Sequence, residues 1–357
     1  MGRRFARNGA LAGLAAAALF GAGTPVAKLL LGQVGPWLLA GLLYTAAGLA
    51  LFGWRLVRRS PRVHLAKPQL PWLIGVVFFG GLAGPLLLMF GLASMPASGA
   101  SLLLNAEALF TALIAWLVFR EATDRRIVAG FVLIAAGAVV LSWPGQAQFA
   151  GWWPTAAVLA ACLSWAIDNN LTQRLALTDA TWLAAVKGTV AGPVNLLLAF
   201  ILGAQLPAWP ALAGAAAIGV LSYGVSLALF ITALGLLGTA RAGAYFSVAP
   251  FFGATLAILL GDPITWTVAV AAALMALGVL LHLRERHGHW HSHPAQLHEH
   301  RHAHDDGHHG HRHDPPVPPG VWHSHPHDHE PVTHTHEHFP DAGHRHQHRG
   351  DGGPPQG

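Results

Sequence analysis

Ten predominantly apolar runs, each about 20 residues long, fill the first 283 of the chain's 357 residues. A soluble core cannot hide so many, whereas a run of this length matches the hydrocarbon core of a bilayer, about 30 Å thick. Inside lipid only helices and closed barrels satisfy every backbone hydrogen bond. The runs lack the period-2 alternation of a barrel strand, so they are expected to be helices. The expected fold class is therefore an all-α polytopic membrane protein. Its ten transmembrane helices fall near 9–31, 36–54, 70–91, 97–119, 125–143, 152–173, 181–203, 211–234, 240–260 and 264–283. Gly35-Pro36, Pro61, Pro68, Pro144-Gly145, Pro207, Pro210 and Asp262-Pro263 mark the turns between them.

The Lys and Arg residues orient these spans. Arg3, Arg4 and Arg7 precede the first span; Arg55, Arg58, Arg59, Arg62 and Lys67 occupy the second loop; Arg120, Arg125 and Arg126 occupy the fourth. Loops one, three, five and seven carry none. Both termini are thus expected on the cytoplasmic side of a bacterial inner membrane, and the formal charge of +5 needs no nucleic-acid partner. Met1 to Phe20 has the outline of a secretory signal, but the many spans that follow favour an uncleaved first helix. Cys162 stands alone, which rules out an internal disulfide framework.

A weaker copy of Ala97 to Val140 returns about 141 residues later, at Gly238 to Leu281. In each copy an apolar run meets an acid and then a second apolar run. The pairing sets Glu121 on Asp262, Phe110 on Phe251, Leu133 on Leu274 and Gly137 on Gly278. Five spans per half is an odd number, so the second half is expected to enter the membrane upside down. Two inverted five-helix repeats are a transporter architecture, with the substrate near the midplane. The expected divisions are a first repeat over 1–143, a second over 144–283 and a tail over 284–357.

An apolar helix, the turn Phe119-Arg120-Glu121 and a Gly-containing helix, once per half, resemble the EamA-type permeases of the drug/metabolite transporter superfamily. The resemblance covers residues 9 to 283. It implies secondary transport of a small metabolite or drug-like solute, directed outward and driven by proton exchange or by the solute gradient. It also implies a cavity formed by spans one to four and six to nine. The second half departs from the pattern, with Asp262-Pro263 where the family usually has Glu.

A charge inside a span costs about 3 kcal/mol or more, so each one needs a partner, a wet cavity or the interface. Glu107 lies mid-span with Asn105 two residues before it. Together they are candidates to bind a cation or a substrate amine, or to carry the coupling proton; the plainer alternative is a neutral acid bonded to a neighbouring helix. Asp168, Asn169 and Asn170 in span six and Lys187 in span seven form a second group, in which an Asp168–Lys187 pair reads as a structural pair or gate ahead of a substrate contact. Tyr44, Tyr223, Tyr245 and Trp165 are candidates for a cavity wall or for simple packing. Thr24-Pro25, Gly84-Pro85, Gly192-Pro193 and Ala249-Pro250 place breakers within spans.

After Leu283 the composition changes abruptly. The tail holds 22 of the 24 histidines, the exceptions being His64 and His282, and its Pro, Gly and acidic residues leave nothing to bury. Disorder without a ligand is expected. His-x-His recurs at His289, His291 and His293; at His300, His302 and His304; at His323, His325, His327 and His329; and at His334, His336 and His338. Alternate residues of an extended chain face one way, and neutral imidazole suits zinc, nickel, cobalt and copper. The transport itself requires no cofactor. The tail also admits a role as a proton buffer or as a tolerated low-complexity extension.

No Gly-x-x-x-x-Gly-Lys-Ser/Thr sequence is present, so transport should be secondary. No recognisable nucleophile, base and orienting group are arranged as in an enzyme. The leading expectation is a solute exporter. A divalent-metal exporter fed or regulated by the tail comes second, and a membrane-anchored metal sensor or store third. The expected partners are the bilayer, the solute, divalent ions and, as one option, a second copy of the chain in a homodimer.

Overall fold

The computed structural model describes residues 2–63, 65–119, 125–141, 143, 151–173, 175, 179–237 and 239–283, together with 288–293, 296–302, 323–329 and 332–337 of the tail. Two compact units emerge, Met1–Glu285 and Arg286–Gly357. Among the described residues of the first, every regular element is a helix. The turn acid Glu121, its neighbour Arg120, and the tail candidates His304 and His338 lie outside the described residues.

In chain order the helices are α1 (Gly2–Leu30), α2 (Pro36–Val57), α3 (Leu70–Val76), α4 (Gly84–Ala93), α5 (Ala97–Leu103), α6 (Ala106–Phe119), α7 (Arg125–Leu141), α8 (Trp152–Gln173), α9 (Ala180–Ile201), α10 (Trp209–Ile218), α11 (Ser226–Leu237), α12 (Thr239–Phe246), α13 (Ala249–Leu259) and α14 (Trp266–Leu283). Among the described residues, five helical stretches are long and apolar enough to cross a membrane: Arg7–Leu30, Pro36–Val57, Lys67–Ala93, Ala180–Ile201 and Trp209–Ala233. Val128–Leu141, Ala249–Leu259 and Trp266–Leu281 are shorter apolar helices.

The helices expected over 97–119 and 240–260 are each interrupted, the second beside its expected breaker Ala249-Pro250. The first breaks at Leu104-Asn105, where the Asn105 amide donates to the Leu102 carbonyl at 2.8 Å. A short polar side chain that bonds nearby backbone competes with the helical ladder. The second breaks at Ser247-Val248, just before Pro250, which has no amide hydrogen to continue the helix. Two further irregularities fall at corresponding places in the two halves. Val77–Ala83 and Gly219–Val225 are π-helical segments, inserted between α3 and α4 and between α10 and α11.

Packing depends on small residues. A Cβ added to Gly188 would lie 2.6 Å from the Gly48 Cα, so α2 and α9 touch backbone to backbone. Helices α7 and α14 meet in the same way through Gly137 and Gly278. Helix α1 packs on α11 and α13, and α8 packs on α4 and α6. In lipid, where apolar burial gives helices little reason to associate, such close approach is what holds a bundle together. The outer surface is accordingly apolar, with Leu11, Leu49, Leu117, Leu197 and Leu259 all exposed. Exposed tryptophans sit at the helix ends: Trp143, Trp152, Trp153, Trp209 and Trp266 at one end of the bundle, Trp54 and Trp72 at the other. That arrangement fits two membrane–water interfaces.

In the tail the described residues are extended. Strands β1 (Gly288–His293) and β4 (Val332–Glu337) pair antiparallel, as do β2 (Gln296–His302) and β3 (His323–His329). Most of these strands alternate His with another residue, a period-2 pattern that suits an extended ladder even where little can be buried.

Candidate functional site

A cavity of about 260 Å³ lies inside the bundle, lined by α1, α2, α6, α8, α9, α11, α12 and both π-helical segments. None of its lining residues belongs to α7 or α14. One wall is aromatic and draws on both halves of the chain. Tyr44 stacks tilted on Tyr223 with ring centroids 5.5 Å apart, and Phe20 meets Tyr223 edge-on at 5.8 Å. Phe246 stands between Phe20 at 5.3 Å and Phe230 at 4.6 Å.

Other lining residues are polar. The break at Asn105 starts α6 at Ala106 and puts Glu107 in its first turn, where the free backbone amides of a helix N-terminus favour a carboxylate. Glu107 Oε1 accepts a hydrogen bond from Asn169 Nδ2 at 2.9 Å, and the same amide donates to Thr111 Oγ1 at 3.3 Å. One residue earlier on α8, Asp168 is buried and paired with Lys187 of α9, with Nζ to Oδ2 2.7 Å. Thr172 Oγ1 donates to the other Asp168 oxygen at 3.3 Å. The two carboxylates are therefore answered differently: Asp168 by a cation, Glu107 by an amide.

The π-helical turn at Val77–Ala83 completes this polar set. Its wider hydrogen-bonding spacing leaves the Gly80 carbonyl free to accept from Tyr44 Oη at 3.1 Å and from Trp165 Nε1 at 3.2 Å. Residue 80 must be glycine here, because a Cβ would collide with the Asp168 carboxylate.

Of the residues singled out by sequence, Glu107, Asp168, Asn169 and Lys187 line one cavity. Asn105 does not join them. It is buried, bonded to the Leu102 carbonyl and 3.8 Å from the Met275 sulfur, so it acts on the shape of the chain that presents Glu107. Tyr44, Tyr223 and Trp165 are in the wall, whereas Tyr245 is not among the lining residues. Sequence reasoning missed Phe20, Phe230, Phe246 and Gly80. Phenylalanines in apolar runs carry no distinguishing signal, and a π-helical turn has no sequence signature.

The ends of the bundle are tied by polar contacts. At one end Lys28 Nζ donates to the carbonyls of Leu92 and Ala93 at 2.7 and 2.9 Å, a cation at the C-terminus of α4. At the same end Asp262 accepts from the Ser98 amide at 2.8 Å, linking the second half to the first. At the other end Arg55 Nη1 lies 2.5 Å from Asp179 Oδ2 and its Nη2 donates to the Pro61 carbonyl at 2.8 Å. Cavity residues Leu51, Asp168, Lys187 and Phe230 lie in the halves of their spans nearer this second end. Burial opposes the charge on Asp179. The Arg55 hydrogen bond, two backbone amides and the Arg55 charge outweigh it and hold the carboxyl below its ordinary range.

A larger cleft of about 640 Å³ lies between α7 and α8, lined by Ala138, Val139, Trp143, Trp152, Thr155, Ala156 and Leu159. Its lining has no ionisable group to fix a polar solute.

The EamA-like transporter family matches this chain twice, over residues 7–143 and 152–284. An uncharacterized transporter of Methanothermobacter thermautotrophicus is 30% identical over 293 residues, covering 75% of this chain and 84% of that protein. The uncharacterized inner membrane transporter YedA of Escherichia coli K12 is 26% identical over 257 residues, covering 69% of this chain and 79% of that protein. A solved crystal structure has the same fold, with a TM-score of 0.59 at 21% identity, covering 77% of this chain and 95% of its own.

Proposed function

This chain belongs to the EamA-like transporter family, and from that premise we propose that it exports a small amine-bearing metabolite in exchange for protons. It is a multi-pass membrane transporter of small solutes, not an enzyme. In the proposed arrangement ten spans form two inverted five-helix repeats, with both termini cytoplasmic. The matching π-helical turns, the matching breaks in spans four and nine, and the two family matches support that reading. Under this topology the cavity lies toward the cytoplasm, and the Lys28 and Asp262 contacts close the outer end.

The single observation that carries the proposal is Glu107: a carboxyl bonded to an amide in a cavity it shares with aromatic rings, with the neighbouring acid already paired. A carboxyl in this setting can exchange a proton for an ammonium group, and Tyr and Phe faces attract a cation electrostatically. The cavity falls below the usual ligand-pocket range of about 300–1,000 Å³, which limits the solute to a small metabolite. Lys187 pairs with Asp168 and positions the cytoplasmic side of the site.

The test is proton flux in proteoliposomes bearing a pH gradient, challenged with a panel of small amines and amino acids. A subset of amines should collapse the gradient with the native chain. Glu107→Gln, which keeps the bond from Asn169, should lose at least tenfold of that flux. Undiminished coupling in the variant would overturn the assignment.

The His-rich tail favours one other reading, a divalent-metal exporter. The cavity supplies one carboxyl and one ion pair, and among the described residues no group of three His, Cys, Asp or Glu stands close enough to hold a metal. The amine reading therefore fits the cavity better.

A further inference from the structure

Helix α2 ends in a cap with an unexpected residue at its centre. The Ser60 amide donates to the Arg55 carbonyl at 3.0 Å, and the Arg59 amide donates to the Leu56 carbonyl at 3.1 Å. These two bonds make a Schellman cap, in which the residue between them takes a left-handed backbone and is usually glycine. Here it is Arg59, at φ 50°, the one non-glycine residue with positive φ among those described. A side chain strains that conformation, so glycine would suit the turn better. Strain kept at one position points to a use for the side chain it carries.

The surroundings indicate the use. Buried Arg55 donates to the Pro61 carbonyl at 2.8 Å, which folds the chain back onto the end of α2 with Arg62 next to the tie. Arg55 also takes up Asp179. Arg58, Arg59 and Arg62 are exposed, and among the described residues no acid pairs with them. Arg58 lies over the Trp54 ring, 4.6 Å from its centroid, which holds it at the depth of an interfacial tryptophan. In the turn just before it, Leu56 and Val57 are 78% and 82% exposed. Bare apolar side chains followed at once by three uncompensated guanidinium groups match an acyl chain followed by its phosphate. A free phosphate has no use for the apolar step.

We propose that the end of α2 binds the head group of an anionic phospholipid, with Arg58, Arg59 and Arg62 at the phosphate and Leu56 and Val57 beside an acyl chain. A guanidinium fork bonds two phosphate oxygens at once, which suits it to this ligand. The cap bonds occupy the last carbonyls of α2, so the anion meets guanidinium rather than bare carbonyl oxygen. Because Arg55 joins the same turn to Asp179 at the start of α9, a bound lipid also braces the contact between α2 and α9. The site rests on the chain's place in a bilayer and not on the amine reading.

The test is thermal unfolding of the full-length chain in detergent, titrated with phosphatidylglycerol, with phosphatidylethanolamine and inorganic phosphate as comparison arms. Phosphatidylglycerol should raise the melting temperature saturably, since a ligand of the folded state stabilises it, and the other two should not. Arg59→Gly should melt no lower than the native chain without lipid, yet bind phosphatidylglycerol about fivefold more weakly, the worth of one basic residue near an anionic surface. Arg59→Lys keeps the charge and should bind within threefold of the native chain. Arg58→Gln with Arg59→Gly and Arg62→Gln should abolish the shift. Arg7→Gln removes an exposed charge of α1 outside the cap and should change affinity less than twofold. Equal losses in Arg7→Gln and Arg59→Gly would mean that only net charge matters, and would overturn the site. An unchanged affinity in Arg59→Gly, a lower lipid-free melting temperature in that variant, or an equal shift with inorganic phosphate would do the same.

Discussion

Lys187 matters at the scale of a single residue because Asp168 is nearly inaccessible. Its side chain is 5% exposed, against 21% for the lysine. Removing one partner of a buried ion pair leaves an uncompensated charge, which costs roughly 3–5 kcal/mol, whereas removing both is often close to neutral. Lys187→Ala should therefore lower thermal stability in detergent by an amount in that range. Lys187→Met combined with Asp168→Asn should recover most of the loss. Equal losses in the single and double variants would mean that the pair contributes little to the fold. This pair was legible in the sequence, since opposite charges in sequential apolar spans have few other ways to be satisfied. Glu107 was legible for the same reason, because a lone acid in the middle of a span is expensive. The Gly80 carbonyl and the phenylalanines of the aromatic wall were not, because each depends on which helix faces which, and apolar runs that satisfy lipid on all sides do not encode that.

Among the elements, α9 starts where its N-cap residue, Asp179, does two things at once. Its carboxylate accepts the Trp182 amide at 2.9 Å and meets Arg55 of α2, so one residue both starts the helix and ties it to its closest neighbour. The folded-state carboxyl lies below its ordinary value of 3.8. The stabilisation is therefore fully present above that ordinary value and is lost as pH falls through the folded value. The side chain is 36% exposed, so the ion pair itself is worth no more than about 1 kcal/mol. Asp179→Asn keeps an oxygen for the cap and removes only the charge. Thermal unfolding of the variant and the native chain should differ by a constant small amount from pH 5 to 8, and the difference should begin to shrink below about pH 3.8 and vanish once pH has fallen below the folded value. A difference that persisted in acid would assign the stabilisation to the cap alone. Element existence was readable from hydropathy throughout, and Ala249-Pro250 signalled a break in span nine, but its place at Ser247-Val248 and the break at Leu104-Asn105 were not. In each a local polar group or proline competes with the ladder, and the outcome depends on tertiary contacts such as the one between Asn105 and Met275.

For the molecule as a whole, the question is whether the two units share one cargo. The helical unit alone contains every lining residue of the cavity, both family matches and the exposed apolar belt. The tail's sequence supplies many imidazoles, and the cavity supplies a carboxylate among aromatic rings. These are different chemistries, since imidazole selects a transition-metal ion while a carboxylate with an aromatic wall selects an organic cation. A chain ending at Leu283 should therefore keep amine-driven proton exchange within a factor of two of the full-length protein, and should lose nickel and zinc binding. The measurement is parallel proteoliposome flux with amines and with radiolabelled metal, using both chains. Metal flux that required the tail would reassign the cargo and make the tail its collector. Retained amine exchange without metal flux would leave the tail as a metal-responsive appendage to a solute exporter.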